Sequence, residues 1–275
     1  MGEDWHANRT GGWVSYWREE PHDPSAPYLP TQCIELSDHG ASELEVDVVL
    51  EQSIGLVLND RPIATLLALP RELTELGVGF LLCEGLLDDV DELRSISVKD
   101  DTIECRAALK DEDVELWMEI RSSGCIGIRS SWEGIEPISS EVEVSRKLML
   151  DVVEQLRERA TLWRRTGGTH SSLVCTPEGD VVAFCEDVSR ACSVDKAIGT
   201  AVLSSADLSE CALITTGRLS GGMVAKAARA GVPIVVSKAA PLSTGVELAR
   251  ALGMTLVAFA RGSNLYVYAG SQRVV

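Results

Sequence analysis

The chain has 275 residues with a formal net charge of −17, and 45% of the residues are hydrophobic, so it has enough apolar material for one large or two ordinary packed domains. The negative charge argues against a general affinity for nucleic acid or anionic membrane, because both present phosphate. The first residues, "MGEDWHANRT", lack the basic and apolar regions of a secretory signal, and no apolar run approaches eighteen residues, so we expect a soluble cytoplasmic protein.

The first half of the chain is predicted to contain an arm, a small domain and a loop. Residues 1–41 are polar and rich in proline, which indicates an irregular arm. Residues 42–121 contain several strand-like runs around the helical pattern "RELTELGVGFLLCEGLL", so we expect a small, mostly β, α+β domain. Residues 122–144 are rich in glycine and serine and are predicted to be the loop that carries Cys125, followed by a linker.

Residues 145–275 are predicted to form a separate, larger domain. A helix should begin near Ser145, with an apolar face made of Leu148, Val152, Leu156 and Trp163. A hairpin about "PEGD" follows, and helices and strands then alternate through "SVDKAIGTAVL", "CALITT", "GGMVAKAARA", "PIVVS", "TGVELARAL" and "TLVAFA". This order predicts a partly parallel sheet with helices on its faces, and the fold class is therefore α/β with an α+β N-terminal part.

Three of the turns that follow strands in this domain carry a basic residue. They are "TTGRLSGG", "VSKAAPLST" and "FARGSN", which contain Arg218, Lys238 and Arg261. Ligands of open α/β sheets bind at the carboxyl ends of the strands, so the three cations are candidates for an anion site backed by helix N-termini. The alternative is that each cation is solvated and that the glycines only permit tight turns. The pair Thr244 and Glu247 fits a helix capping box.

The eight cysteines are widely spaced, so we expect reduced thiols. No C-x-x-C occurs, which removes the commonest zinc and redox motifs. Cys125 lies in a loop of small residues between Arg121 and Arg129, which would favour its thiolate, so it is either a reactive thiol or an ordinary one. Five other cysteines lie in apolar runs and are predicted to be buried: Cys83, Cys105, Cys175, Cys185 and Cys211.

Two further polar features of the second domain have both structural and functional interpretations. The run "EDVSRACSVDK" is either a solvated strand-to-helix connection with internal ion pairs or a set of charges that orients a polar ligand; its charged residues are Glu186, Asp187, Arg190, Asp195 and Lys196. His170 is the only histidine of the domain, and a structural hydrogen bond is its simplest role.

Several motifs in order resemble the FdhD/NarQ family of formate dehydrogenase accessory sulfurtransferases. They are "GVGFLLCEGLL", "SSGC", "TGGTHSSL", "EDVSRACSVDKAIG" and the long run from "TTGRLSGG" to "FARG". The resemblance covers about residues 42 to 270. It implies a three-layer C-terminal domain similar to cytidine deaminases, beside the smaller, mostly β N-terminal domain.

The resemblance also implies a function. Members of the family receive sulfane sulfur from a cysteine desulfurase as a cysteine persulfide and pass it to a molybdenum or tungsten bis-molybdopterin guanine dinucleotide, which is bound as a substrate and goes to a formate dehydrogenase-type enzyme. By this resemblance Cys125 matches the persulfide cysteine. The segment that matches the family's cofactor-binding segment consists of Phe259, Ala260, Arg261, Gly262, Ser263 and Asn264. A homodimer is implied as well.

The chain departs from the family pattern in the same regions. Ile128 stands where the family usually carries a second loop cysteine, so a relay between two thiols in the loop is excluded. Where the family usually reads E-D-x-G-R-H-N, this chain has Ser189, Ala191 and Cys192 at the glycine, histidine and asparagine positions, and Gly222 replaces the glutamate of S-x-E-M. The main hypothesis is a sulfurtransferase acting through Cys125. Its rival is a diverged module that binds or delivers the cofactor without transferring sulfur.

A zinc-dependent deaminase is the third class considered. Such an enzyme needs H-x-E and P-C-x-x-C to hold and use its metal, and this sequence has neither motif. We therefore expect no zinc.

Overall fold

The computed structural model describes residues 26–108, 119–121 and 134–275, with the backbone alone at 119–121. Cys125, Ile128 and Arg129 lie outside the described residues.

An antiparallel two-stranded ribbon opens the described chain. Its strands are β1 (Tyr28–Ser37) and β2 (Gly40–Val49), so the predicted irregular arm over residues 1–41 is wrong from Tyr28 onward. The prolines that suggested an arm are compatible with this ribbon, because both strands are edges and an edge strand tolerates a residue without an N–H. Pro30 accordingly pairs with Asp47 in the ribbon's register.

A five-stranded sheet follows, formed by β3 (Gln52–Leu58), β4 (Arg61–Ala68), β5 (Leu93–Lys99), β6 (Thr102–Ala107) and β7 (Glu119–Arg121). Its strand order is β5-β6-β3-β4-β7. Helix α1 (Leu73–Cys83) packs against it around a core that includes Ile54, Leu76 and Phe80. The predicted strand and helix content of this region is confirmed, although the helix is shorter at both ends than the pattern "RELTELGVGFLLCEGLL".

The larger part of the chain is a six-stranded sheet with helices on both faces. Its strands are β8 (His170–Cys175), β9 (Val181–Asp187), β10 (Ala212–Thr215), β11 (Ile234–Ser237), β12 (Thr255–Arg261) and β13 (Asn264–Ala269), in the order β13-β12-β11-β10-β8-β9. The strands β10, β11 and β12 run parallel, which confirms the predicted partly parallel sheet and the mixed α/β class.

The helices of this part of the chain are six to fourteen residues long. They are α2 (Arg146–Arg159), α3 (Thr161–Thr166), α4 (Arg190–Leu203), α5 (Gly221–Arg229) and α6 (Ser243–Ala251). One face packs against α4, α5 and α6 around Val224 and Leu256, and the other packs against α2 around Leu156 and Val257. The likeness of this unit to cytidine deaminases stays a prediction.

The structure differs from the predicted elements at two places in this unit. The helix expected from Ser145 to "TGG" breaks at Ala160, because the buried Glu186 carboxylate accepts hydrogen bonds from the N–H groups of Leu162 (2.9 Å) and Trp163 (2.8 Å) and so starts a new helix. The Trp163 side chain is 46% exposed and does not belong to the apolar face. Strand β13 was not predicted; it is an edge strand with exposed Tyr266 and Val267.

The two larger sheets are joined where helix α1 crosses helix α4, and each helix has a glycine at the crossing point. A Cβ atom built at Gly79 would lie 1.7 Å from the carbonyl oxygen of Asp195, and one built at Gly199 would lie 2.0 Å from that of Glu75. No side chain fits at either place, because a non-bonded carbon and oxygen cannot approach so closely. The two helix backbones are therefore in direct contact.

Buried ion pairs surround this crossing, and we call them the charged seam. Lys226 Nζ lies 2.8 Å from both Glu84 Oε1 and Asp195 Oδ1. Lys196 Nζ lies 2.7 Å from Asp187 Oδ2 and donates to the carbonyl of Leu69 at 2.9 Å. The interpretation of "EDVSRACSVDK" as a solvated connection is therefore wrong for its two aspartates and its lysine, which are at most 1% exposed. The internal ion pair that this interpretation included is confirmed between Asp187 and Lys196. Asp195 and Lys196 lie on the face of α4 that packs on the smaller sheet unit, and Asp187 ends β9 beside Lys196.

Substitution of Gly79 tests the close crossing. We expect Gly79→Ala to lower the free energy of unfolding by about 3 kcal/mol or to prevent folding, because the added methyl must push α1 off α4. Gly222→Ala is the matched control: its Cβ would have its nearest neighbour, Ser220 Oγ, at 3.9 Å, and alanine favours a helix, so we expect stability to be unchanged or raised by about 0.5–1 kcal/mol. Urea unfolding measures both. A change below about 1 kcal/mol for Gly79→Ala would contradict the crossing.

Candidate functional site

The carboxyl ends of the parallel strands meet at one edge of the six-stranded sheet. Thr215 at the end of β10 pairs with Ser237 at the end of β11, and β12 runs alongside. Strand β8 is antiparallel to β10, so its first residue, His170, lies at this edge together with Asp187, the last residue of β9. Helices α4, α5 and α6 also begin there. Their N-termini favour anions, because the helix dipole is positive at that end.

Two of the predicted cations lie on adjoining loops at this carboxyl edge. The loop after β10 carries Arg218, and the loop after β11 carries Lys238. The loops run side by side, since Leu219 N–H donates to the Ala240 carbonyl at 3.1 Å and the Leu219 carbonyl accepts from Leu242 N–H at 2.9 Å. Arg218 is exposed and Lys238 is half-buried. Both side chains therefore belong to the same rim of the sheet.

Buried hydroxyl groups fix the peptide that precedes Arg218. Gly217 N–H donates to Thr215 Oγ1 at 3.2 Å, and the Gly217 carbonyl accepts from Ser237 Oγ at 2.6 Å. Ser237 Oγ also accepts from Ala239 N–H at 3.0 Å, so one hydroxyl joins the two loops. The loop backbone is thus held by side chains of the strands, which keeps Arg218 and Lys238 at a defined separation.

The predicted cofactor segment, Phe259 to Asn264, is the end of β12, a tight turn and the start of β13. Phe259 has a left-handed backbone (φ 50°), and its N–H donates to the Ala239 carbonyl at 3.1 Å, which joins this segment to the Lys238 loop. Ala260 is buried. The next four residues are exposed and form the hairpin tip: Arg261, Gly262, Ser263 and Asn264. The guanidinium of Arg146 donates to the Ser263 carbonyl.

The third predicted cation therefore stands apart from the other two. The pairing of β11 with β12 ends at Val236 and Val257, whereas Arg261 lies four residues further along the hairpin and pairs with Asn264. The structure joins Arg218 and Lys238 through their loops, and it places Arg261 at the tip of the neighbouring hairpin.

Two residues outside the predicted site lie against the Arg218 loop. His170 Nδ1 is 3.1 Å from Thr216 Oγ1, and the backbone of Gly217 packs on the Arg190 side chain, where an added Cβ would be 3.0 Å from the Arg190 Cβ. Burial lowers the pKa of His170, and the positive charges of Arg190 and Arg218 lower it further. The sequence signal for both was their position at strand ends, in "TGGTH" and "EDVSR".

The capping box predicted for α6 is wrong. The helix begins after Leu242, which makes no side-chain cap. Thr244 Oγ1 instead accepts a hydrogen bond at 3.2 Å from Gly221 N–H, in the first turn of the neighbouring helix α5. The α5 N-cap is Ser220, whose hydroxyl accepts from Met223 N–H. Two hydroxyl oxygens therefore accept hydrogen bonds from the first turn of α5, which lies directly after the Arg218 loop.

The described cysteines differ sharply in exposure. Six are buried, five of them as predicted and Cys192 in addition: Cys83, Cys105, Cys175, Cys185, Cys192 and Cys211. Burial raises the pKa of each thiol, to about 11 for Cys105 and to about 12 for Cys175 and Cys185. Because the thiolate is the nucleophile, these six are poor sulfur acceptors. Cys33 in the ribbon is exposed.

The described ranges show neither a metal-binding cluster nor a membrane-spanning helix. No group of three or more histidine, cysteine, aspartate or glutamate side chains in residues 26–108 and 134–275 is placed to hold a metal ion. None of the helices in the described part of the chain is long and apolar enough to cross a membrane.

Thiol alkylation tests the assignment of the buried cysteines. In the folded protein we expect a small alkylating reagent to label Cys33 rapidly and to leave the six buried thiols unmodified, because they are both inaccessible and protonated. Peptide mass spectrometry after brief labelling gives the occupancy of each site, and urea-unfolded protein is the positive control. Rapid labelling of any of the six in the folded state would contradict this assignment.

The architecture is that of the open α/β class, with cations and helix N-termini at the carboxyl edge of the sheet. Within this class, the chain matches the FdhD/NarQ family model over residues 49–275. The chain belongs to the FdhD/NarQ family.

Relatives and a solved structure agree with this assignment. A protein of Methanothermobacter thermautotrophicus named "Sulfur carrier protein FdhD" is 35% identical over 208 residues, covering 76% of this chain and 83% of the relative. The Streptomyces coelicolor protein of the same name is 32% identical over 264 residues, covering 88% and 93%. A crystal structure from Desulfotalea psychrophila, described as a formate dehydrogenase accessory protein, superposes with a TM-score of 0.80 at 27% identity and covers 91% of this chain and all of that one.

Proposed function

We propose that this protein is a sulfur carrier in which Cys125 accepts sulfane sulfur from a cysteine desulfurase. It passes the sulfur to a molybdenum or tungsten bis-molybdopterin guanine dinucleotide, bound as a substrate, for a formate dehydrogenase-type client enzyme. The observation that carries the proposal is the name "sulfur carrier" shared by relatives that align over 76% and 88% of the chain. As further parts of the proposal, the protein acts in the cytoplasm, as a homodimer, with a larger domain similar to cytidine deaminases.

The thiol inventory supports Cys125 as the acceptor. Six of the eight cysteines are buried, with their thiols held protonated. Cys33 is exposed, but it lies outside the segment that matches the family, which begins at residue 49. Cys125 lies inside that segment, four residues beyond the end of β7 at Arg121. Each described cysteine of the family-matching segment is buried in a core, and Cys125, outside the described residues, is the candidate that this leaves.

The first transfer needs a single thiol. The Cys125 thiolate attacks the outer sulfur of the desulfurase persulfide, a sulfur–sulfur bond forms on Cys125, and the bond to the desulfurase sulfur breaks. The desulfurase cysteine leaves as a thiolate, so charge is conserved and no outside oxidant is required. Ile128 in place of a second loop cysteine is compatible with this step, because the reaction uses one attacking sulfur.

The carboxyl edge supplies groups that suit the cofactor's phosphates. Arg218 and Lys238 lie on joined loops next to the N-terminus of α5, and phosphate is stabilised by both cations and helix N-termini. In the proposal Phe259 and Ala260 form the base of this site, and the hairpin tip closes it. Arg261, Gly262, Ser263 and Asn264 at that tip are exposed and available to a ligand.

The second candidate function is a module that binds or delivers the cofactor without transferring sulfur. It is favoured by two departures from the family pattern: Ile128 in place of the second loop cysteine, and the changed "EDVSR" segment with Ser189, Ala191 and Cys192. The anion site serves this function equally well. Only the chemistry of Cys125 separates the two candidates.

A sulfur-loading experiment distinguishes the sulfur carrier from the delivery module. After incubation with a cysteine desulfurase and cysteine, we expect the wild-type protein to gain one sulfur atom on Cys125, because its thiolate is the acceptor. Cys125→Ala should gain none, and Cys33→Ala, the matched control, should load like wild type. Intact-protein and peptide mass spectrometry measure the gain, and a reducing agent should reverse it. Loading of Cys125→Ala, or none in wild type with an active desulfurase, would contradict sulfur transfer and leave the delivery module.

Cofactor binding at the carboxyl edge is tested with diguanosine diphosphate, two guanosines joined by a pyrophosphate diester. We expect Arg218→Ala and Lys238→Ala each to weaken its binding about tenfold, because each removes a charge-assisted contact to phosphate. Calorimetry measures the dissociation constants. Lys99→Ala, which removes an exposed cation from the other sheet, is the control and should bind like wild type. Unchanged affinity in both Arg218→Ala and Lys238→Ala would argue against the anion site. Unchanged affinity in Arg261→Ala would show that the hairpin tip is not part of that site.

A further inference from the structure

We propose that His170 is a binding residue of this anion site and takes up a proton when a phosphate or pyrophosphate group binds beside Arg190 and Arg218. This inference rests on the anion site of the proposed function and adds to it two residues, His170 and Arg190, that lie outside the predicted cofactor-binding residues.

The first step is the position of the imidazole ring. His170 is half-buried at the start of β8, and Nδ1 is 3.1 Å from Thr216 Oγ1. The same hydroxyl accepts a hydrogen bond from Ser171 N–H at 3.0 Å. Thr216 is in the loop that carries Arg218, and it anchors that loop on β8. The ring is therefore held at the carboxyl edge through one nitrogen.

The second step is the arrangement of cations around the ring. Arg190 is the first residue of α4, and its aliphatic stem packs against Gly217, between Thr216 and Arg218. Thr216 thus contacts His170, and Gly217 contacts Arg190. The next residue, Arg218, supplies a second cation. Two helix N-termini, of α4 and α5, begin beside them. An anion that binds here meets Arg190, Arg218 and the ring from three elements.

The third step concerns the carboxylates near His170 and the partners that they already have. Asp187 of β9 is paired with His170 across the strands, but its carboxylate is engaged by Lys196 and by the N–H groups of Leu69 and Ser189. Glu186 accepts from Leu162, Trp163 and Thr169. Glu72, before α1, interacts with the Lys196–Asp187 pair. The carboxylates of Asp187 and Glu186 are engaged within the fold, and the charges that act on His170 are those of Arg190 and Arg218.

The sign of the coupling follows from these charges. Without a ligand, burial and the two arginines hold the pKa of His170 below its usual range, so the ring is neutral at neutral pH. A bound anion offsets the arginine charges and raises the pKa. Between the free and the bound pKa, binding takes up a proton and strengthens as pH falls. Below the free pKa the ring is protonated in both states, and affinity levels off.

Calorimetry with diguanosine diphosphate tests the proposal, because its pyrophosphate diester has no proton to release or gain near neutrality. Titrations at the same pH in two buffers of different ionisation enthalpy give the number of protons taken up. We expect uptake of a fraction of one proton by the wild-type protein, and an affinity about three- to tenfold higher at pH 6 than at pH 8, since one pKa unit corresponds to a factor of ten.

Two variants locate the proton. His170→Gln keeps a polar group for Thr216 but cannot titrate, so we expect no proton uptake and an affinity at pH 6 close to that of wild type at pH 8. His39→Gln changes an exposed histidine in the turn of the ribbon and should behave like wild type. Binding by wild type without proton uptake, or uptake that persists in His170→Gln, would overturn the role of His170 alone. Failure of wild type to bind the dinucleotide at any pH would overturn the anion site itself and, with it, this inference.

Discussion

The rest of the structure depends on the direct backbone contact between α1 and α4 and on the ion pairs buried around it. Removing a charge from water costs several kcal/mol, and this cost is recovered only when each ion keeps close partners. Lys226 has two carboxylates, and Lys196 has a carboxylate and a carbonyl, at 2.7–2.9 Å. A shift of one helix along the other would leave these charges buried without partners. The seam therefore specifies one placement of the five-stranded sheet on the six-stranded sheet.

The same contacts connect the seam to the carboxyl edge. The Asp187 carboxylate binds Lys196 and Leu69 in the seam and also accepts from Ser189 N–H at 2.8 Å. Ser189 caps α4, and Arg190 is the next residue. The position of the cation that packs on Gly217 is therefore set by the buried pair that joins the two sheets. A change in the charged seam would therefore alter the anion site, although no seam residue needs to contact a ligand.

The sequence predicted those features that local patterns encode and missed those that depend on distant partners. The alternation of strands and helices from residue 170 to residue 261 was predictable, because each element has its own apolar period and its own turn residues. Arg218 and Lys238 could be placed at one edge, since both follow parallel strands. The break at Ala160 could not be predicted, because the carboxylate that causes it belongs to Glu186, far along the chain. The burial of Asp195 and Lys196 likewise could not be predicted without knowing that α1 packs on α4. The capping role of Thr244 could not be predicted without knowing that its hydrogen-bond partner is in the neighbouring helix α5.

The short strand β7 is connected to the charged seam through β4. Arg121, the last residue of β7, pairs with Leu66 of β4, and β4 leads within three residues to Leu69, which is bound to Asp187 and Lys196 at the carboxyl edge. Because β7 runs parallel to β4, both strands point toward the charged seam. The two backbone contacts of Leu69 therefore also set the position and direction in which the chain leaves β7.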